Sequence, residues 1–384
     1  MKNRKVLITG GAGFIGSKVA YGLLRFGCEI IILDNFSPQI HGSKNKLLFE
    51  GVENIRIVNS DVTNKPILYE TLSQVTDVIH LAAETGTGQS MYNISKYVDV
   101  NIQSTALICD FLVNSKHSIQ TFVVASSRSI YGEGKYFSDK FGAIYPNSRS
   151  LNDMSLSFDC INDYDRSDFI YPVATDENSK LHPSSIYGIT KLVQEQLVLL
   201  TSKMVGINGF ALRYQNVYGP GQSLKNPYTG ILSIFTKLAL NHKEINVFED
   251  GLESRDFVFV DDVVDATIAC LNIEIKDKIQ VALNIGTGKS ISVLKVAQDI
   301  IRLTNSNSCI NISGTFREGD IRHNYADISL ASEILNYSPK FNFDAGLEKF
   351  IEWVYKNIED FEDESTSYES SILELKNKGL LHER

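Results

Sequence analysis

Paired cysteines, excess basic charge and long apolar runs are all missing from this chain of 384 residues, and each absence excludes a class of function. The five cysteines, Cys28, Cys109, Cys160, Cys270 and Cys309, form no CxxC and no cluster with histidine. They therefore read as free thiols, with no disulfide framework and no metal site expected. Lysine and arginine total 37 against 46 acidic residues, giving a formal charge of -9 and a pI near 5.4. That balance argues against nucleic acid or a membrane surface as a partner, since both need a basic face. No apolar run reaches the ~18 residues of a membrane span. The first ten residues enter a strand-like segment without a signal-peptide core, so a cytoplasmic protein is expected.

What is present is ordinary globular material: 43% hydrophobic residues, 22% charged residues and a mean hydropathy of -0.08. Short β-branched runs alternate with helical patterns, as in Lys5-Val-Leu-Ile-Thr, Glu29-Ile-Ile-Ile-Leu-Asp34, Asp77-Val-Ile-His-Leu and Thr121-Phe-Val-Val-Ala-Ser. Fully apolar strands spaced this way predict a buried parallel sheet with helical crossovers, a doubly wound α/β fold. Residues 132–180 break the rhythm and read as a long insertion, either a substrate-side lid or a surface excursion. Helices are predicted over 185–204, 230–240 and from Asp262, with a strand over 209–212.

The first strand ends in Gly10-Gly-Ala-Gly-Phe-Ile-Gly16. Gly10 permits a tight turn, Gly13 lets backbone approach a pyrophosphate, and Gly16 lets the next helix pack closely with its N-terminus aimed at the anion. Asp34 closes the second strand where a carboxylate can accept adenosine ribose hydroxyls and repel a 2′-phosphate, which favours NAD. Asp61 and Val62 follow the third strand and suit an adenine contact. Tyr187-Gly-Ile-Thr-Lys191 puts phenol and ammonium on one helical face, where the cation favours phenolate and makes the tyrosine a usable base. Ala125-Ser126-Ser127 ends a strand and supplies a hydroxyl for the same substrate oxygen.

Together with His80-Leu-Ala-Ala83, Ala125-Ser-Ser-Arg-Ser-Ile-Tyr-Gly132, Leu212-Arg-Tyr-Gln-Asn-Val-Tyr-Gly-Pro220 and Arg255-Asp-Phe-Val-Phe-Val260, these motifs resemble the extended short-chain dehydrogenase/reductases of the NAD-dependent sugar epimerase/dehydratase family over about residues 4–355. The resemblance implies a Rossmann sheet with a smaller C-terminal substrate-binding domain. Residues 1–216, with 255–285 returning and 133–180 inserted, would bind NAD; 217–254 and 286–356 would bind substrate; 357–384 would be an acidic linker and terminal helix. It further implies Tyr187 as base, Lys191 on the nicotinamide ribose and Ser127 on the reacting hydroxyl. Phe14, Ile15, Asn35, Leu81, Ala82, Ala83, Asn101 and Tyr214 would join the cofactor contacts, and Asn216, Gln222, Arg255, Arg317 and Arg322 would bind the sugar diphosphate. A homodimer built on two helices of the Rossmann domain is implied as well.

Dehydratases of the family carry an Asp-Glu pair after the serine and decarboxylases commonly a Glu; here Arg128 and Ser129 stand there, so elimination is disfavoured. The segments His80–Tyr92 and Leu212–Leu232 are similar to the dTDP-L-rhamnose 4-epimerase group, whose insertion holds several cysteines where this chain has only Cys160. That similarity implies C4 epimerisation through a transient 4-keto sugar, with dTDP-L-rhamnose and dTDP-6-deoxy-L-talose as the pair. It adds Gln89, Ser90, Asn226 and Tyr228 as candidate contacts. Two other readings stay open: a nucleotide-sugar 4-ketoreductase that consumes NAD(P)H, and a non-catalytic protein that senses NAD.

Overall fold

Alternation along the first strands decides the architecture. In β1 (Lys5–Thr9) and β2 (Glu29–Asp34), Val6, Ile8, Ile30 and Ile32 enter one apolar core while Leu7, Ile31 and Leu33 enter another. A strand buried on both faces must lie inside a layered α/β protein. The computed structural model describes residues 4–41, 48–223, 230–273, 277–357 and 365–384. The sheet is completed by β3 (Ile55–Asn59), β4 (Asp77–His80), β5 (Thr121–Ser127), β6 (Asn208–Tyr214) and β7 (Gln280–Ile285). Its seven strands are all parallel, in the order β7-β6-β5-β4-β1-β2-β3. The order turns back between β1 and β4, and ligands of such sheets bind at the carboxyl ends of the strands flanking that switch point.

The helices that matter are α1 (Phe14–Leu24), α2 (Lys65–Leu72), α3 (Ser104–Asn114), α4 (Ile186–Val205), α5 (Ile231–Leu240), α6 (Val260–Ala269), α7 (Val293–Leu303), α8 (Phe343–Lys356) and α9 (Ser365–Asn377). Helices α1 and α6 cover one face of the sheet, and α2, α3 and α4 the other. A further core joins α5, α7 and α8 through Leu232, Phe235, Val296, Ile300, Leu347 and Phe350. Residues 132–180 hold a small antiparallel sheet of Tyr136–Ser138, Gly142–Ile144 and Tyr171–Pro172, and a helix at Leu151–Leu156.

The insertion is held down by buried charge. The Arg149 guanidinium bonds both oxygens of Glu249 at 2.9 Å and Glu133 at 3.2 Å, all nearly solvent-free. None of the five cysteines forms a disulfide, and four of them are buried. Among the described residues no helix is long and apolar enough to cross a membrane. The acidic stretch at 358–364, with Asn226 and Tyr228, lies outside the described residues.

Candidate active site

At the C-terminal ends of β1, β2, β4 and β5 the chain must turn tightly, and the glycines permit it. Gly10 has φ 66°, and a Cβ there would stand 2.7 Å from the Ala82 N; one on Gly16 would collide with the Gly10 carbonyl. Only glycine lets β1, the turn and α1 approach this closely. The first helical N–H groups of α1 therefore face a cleft of about 610 Å³ that runs past the strand ends into the space before α5 and α7. Gly10, Gly13, Phe14, Ile15, Gly16, Asp34, Asn35, Asp61, Val62, Leu81, Ala82 and Ala83 all line it.

Asp34 is nearly buried, and its carboxylate accepts the Ala12 N–H at 3.0 Å and the Phe36 N–H at 2.9 Å, with His41 Nε2 at 3.2 Å. It thus fastens the glycine turn to the end of β2. Asn35 donates to Asp61 at 2.9 Å, which ties the ends of β2 and β3. Burial pushes the Asp61 carboxyl up, but hydrogen bonds from Thr63 and Asn35 outweigh it and hold the pKa below the ordinary value. This groove, with space secured by glycine, a helix N-terminus at its centre and carboxylates at the far strand ends, fits an adenine dinucleotide.

Ser127, Tyr187 and Lys191 line the same cleft. Ser185 caps α4 by accepting the Gly188 N–H at 3.1 Å, and Tyr187 and Lys191 follow one turn apart. Lys191 is 3% exposed, and its Nζ donates to the Ala125 carbonyl at 3.0 Å and stands 5.9 Å from the Tyr187 ring centroid. Burial lowers its pKa to about 7. Burial raises that of Tyr187, while a hydrogen bond with Ser127 and the nearby Arg128 charge oppose the rise. Ser127 Oγ also accepts the Ser129 N–H at 3.1 Å, whereas Ser126 points the other way and donates to Glu195 at 2.7 Å. Pleating alone makes this choice between neighbours.

The predicted substrate contacts divide. Asn216, Gln222, Arg255 and Arg317 line the cleft. Arg255 and Arg317 both reach Asp320, at 3.2 and 2.9 Å. Burial pushes the Asp320 carboxyl up, yet the guanidiniums around it hold it well below the usual carboxylate range. Arg322 departs from its expected role: it is 2% exposed, does not line the cleft, and bonds Asp159, Glu249 and Asp250. Committed to three carboxylates, it clamps the insertion.

Asn101 also departs. It is fully buried in an irregular turn of helix, exchanges two hydrogen bonds with the Glu84 backbone and donates to Thr190 at 2.9 Å, so it braces the start of α4 from behind the cleft. Tyr214 offers only its ring, since its hydroxyl lies 2.8 Å from Thr267 Oγ1. Ser90 and Gln89 do not line the cleft; Ser90 Oγ instead accepts the Tyr187 N–H at 3.1 Å.

Two cleft residues had no role assigned to them by sequence. Arg128 donates from Nε to Asn216 Oδ1 at 2.6 Å and keeps a buried Nη1 without a partner. Glu253 is 6% exposed, and burial together with the Glu249 charge raises its pKa to about 8, so it is largely protonated at neutral pH. The RSxYG run names Arg128 as a motif position; nothing marks Glu253 before the chain is folded.

Residues 6–150 and 164–286 match the model of the NAD dependent epimerase/dehydratase family. The chain is 34% identical over 360 residues to a dTDP-L-rhamnose 4-epimerase of Burkholderia thailandensis, spanning 93% of this chain and 96% of that protein. It is 32% identical to a putative UDP-glucose 4-epimerase of Methanocaldococcus jannaschii, over 92% of this chain and 99% of that one. Among solved structures, UDP-glucuronic acid 4-epimerase from Bacillus cereus in complex with UDP-glucuronic acid and NAD superposes with a TM-score of 0.75 at 27% identity, covering 92% of this chain and 99% of that one.

Proposed function

The chain belongs to the NAD dependent epimerase/dehydratase family, and on that premise we propose that it epimerises C4 of a nucleoside-diphosphate hexose, with dTDP-L-rhamnose and dTDP-6-deoxy-L-talose as the pair. The observation that carries this is one cleft holding Ser127, Tyr187 and Lys191 between the glycine turn and Arg255 with Arg317, while Arg128 and Ser129 stand where elimination would need carboxylates.

The glycine turn, Asp34, Asn35 and Asp61 would hold the adenosine and pyrophosphate of NAD, and Lys191 its nicotinamide ribose. NAD held there would supply reversible hydride chemistry at the sugar C4, with no net consumption. Tyr187 Oη takes the C4 hydroxyl proton as the hydride leaves and gives it back when the hydride returns. Ser127 holds the same oxygen. Arg255 and Arg317 hold the diphosphate while the sugar turns about it. Lys191, buried and cationic when protonated, favours the phenolate electrostatically.

The chain presents Val98, Val113, Ile189, Leu200 and Met204 to solvent on and beside α3 and α4, a face suited to pairing with a second copy. Sedimentation at micromolar concentration should give a dimer; a monomer alone removes this part of the proposal.

The reaction is tested by incubating the protein with dTDP-L-rhamnose and a panel of UDP-, GDP- and dTDP-hexoses without reductant, following sugar protons by NMR and absorbance at the NADH band. A C4 epimer with no net NADH establishes the reaction and its substrate. Turnover only of a 4-keto sugar, with stoichiometric loss of added NADH or NADPH, replaces it by a reductase.

A further inference from the structure

The end of the chain reads from sequence as an acidic linker and a short terminal helix, yet it reaches the cleft wall, the strand that carries Arg317 and the insertion. On α9, Ser371, Ile372 and Leu375 line the cleft, and Ser371 and Leu375 are each 3% exposed. Leu375 Cδ2 lies 3.5 Å from where a Cβ on Gly88 would stand. Gly88 belongs to the turn Thr87–Ser90, and Ser90 Oγ accepts the N–H of Tyr187. The apolar side of α9 is thus one short turn of chain away from the base.

Beyond α9 the strand Leu381–His382 pairs antiparallel with Phe316–Arg317, so Arg317 sits on a strand whose partner is the C-terminus. Arg384 then donates to the Ser155 and Leu156 carbonyls at 3.1 and 2.6 Å and covers the Phe158 ring, reaching the insertion. Burying two residues of a polar helix in a cleft wall, and anchoring its far end by a strand pair, is the construction of a fixed wall rather than a tail.

We propose that residues 369–384 form the roof of the sugar chamber, and that Ile372 and Leu375 determine specificity by facing the C5 substituent of the hexose. This rests on the nucleotide-sugar reading above and deepens it. The chemistry favours a methyl there, as in a 6-deoxyhexose: an apolar roof stabilises a methyl by burial, whereas a hydroxymethyl or carboxylate loses hydration against it.

The first test uses the intact protein and reads binding only. Backbone hydrogen exchange is followed with dTDP, dTDP-L-rhamnose, UDP, UDP-glucose and UDP-glucuronic acid. The roof requires amides of 369–382 to be protected more by a sugar nucleotide than by its own nucleoside diphosphate. Equal protection by both, for every sugar, overturns it. Protection without epimerisation would sink the proposed reaction and leave the roof standing.

The second test is Ile372→Ser. It should raise KM for the turned-over 6-deoxyhexose nucleotide about tenfold and lower its preference over the matching hexose by a similar factor, with inhibition by dTDP alone unchanged. An unchanged preference, or a loss of dTDP binding equal to the loss of sugar binding, removes the specificity role.

Discussion

Ser126 and Ser127 are neighbours in the chain and face opposite sides of β5: Ser126 Oγ donates to Glu195 at 2.7 Å, while Ser127 Oγ accepts the Ser129 N–H at 3.1 Å beside Tyr187. Glu195 is in turn held by Arg213 at 2.6 Å, so Ser126 belongs to a buried ion-pair network and Ser127 to the site. Ser127→Ala should lower kcat about a hundredfold with an unchanged melting temperature. Ser126→Ala should keep turnover and lose about 1 kcal/mol of stability. Steady-state kinetics and urea unfolding of the two variants check both, and the reverse pattern would exchange their roles.

Tyr187→Phe removes the phenolic hydroxyl and almost no volume. We expect kcat to fall by about a thousandfold or more while NAD still binds and the circular dichroism spectrum is preserved. Turnover near that of the wild type would exclude Tyr187 as base.

Arg128 opposes the rise in the Tyr187 pKa, and no carboxylate stands in its place. Its replacement in Arg128→Met lets that pKa climb. Because the base works deprotonated, the acid limb of the kcat/KM profile should move to higher pH, by about one pH unit for a nearby unit charge. Arg128→Lys should restore most of the limb. A profile that scales down without moving would make Arg128 a binding residue only.

Lys191 has its pKa lowered by burial from 10.5 to about 7, so the folded protein sheds this proton where the unfolded chain keeps it. Between those two values the unfolded state binds more protons, and stability rises with pH; below pH 7 the burial penalty is present in full. Lys191→Met escapes the penalty. It should be more stable than the wild type at pH 6.5, with the gap narrowing by pH 9.5, as urea unfolding at the two values can show. A gap that widens with pH would contradict the burial seen here.

Arg149 bridges the insertion to Glu249 with both partners buried. Arg149→Met leaves Glu249 to Arg322 alone and takes from buried Glu133 its guanidinium partner; it should cost roughly 3–5 kcal/mol, and residues 133–180 should become the first site of proteolysis. Arg149→Met with Glu249→Gln should recover part of the loss. Equal protease resistance in the single variant and the wild type would show that the insertion is held by other contacts.

Much of the site was legible because its chemistry is local. Gly10 to Gly16 is one turn, Tyr187 and Lys191 are one helical turn apart, and Asp34 ends a strand whose apolar pattern is unmistakable; spacing along the chain is spacing in space for such pieces. Arg255, Arg317 and Arg322 show where this fails. Three arginines of like appearance part company: Arg255 and Arg317 share Asp320 in the cleft, while burial among Asp159, Glu249 and Asp250 takes Arg322 out of it. Asn101, expected among the cofactor contacts, instead bonds Glu84 and Thr190 from behind the cleft.

The amino-acid sequence alone determined the parallel sheet, the glycine turn and the pairing of Tyr187 with Lys191 on one helical face, because each follows from periodicity or from contacts within a few residues. Tertiary structure alone decided that Ser126 is structural, that Arg322 is a clamp and that the C-terminal helix lines the cleft. Those outcomes depend on pairs such as Leu375 with Gly88 and Arg317 with Leu381, brought together only when distant strands and helices pack, and no local pattern encodes which distant partner a side chain will meet.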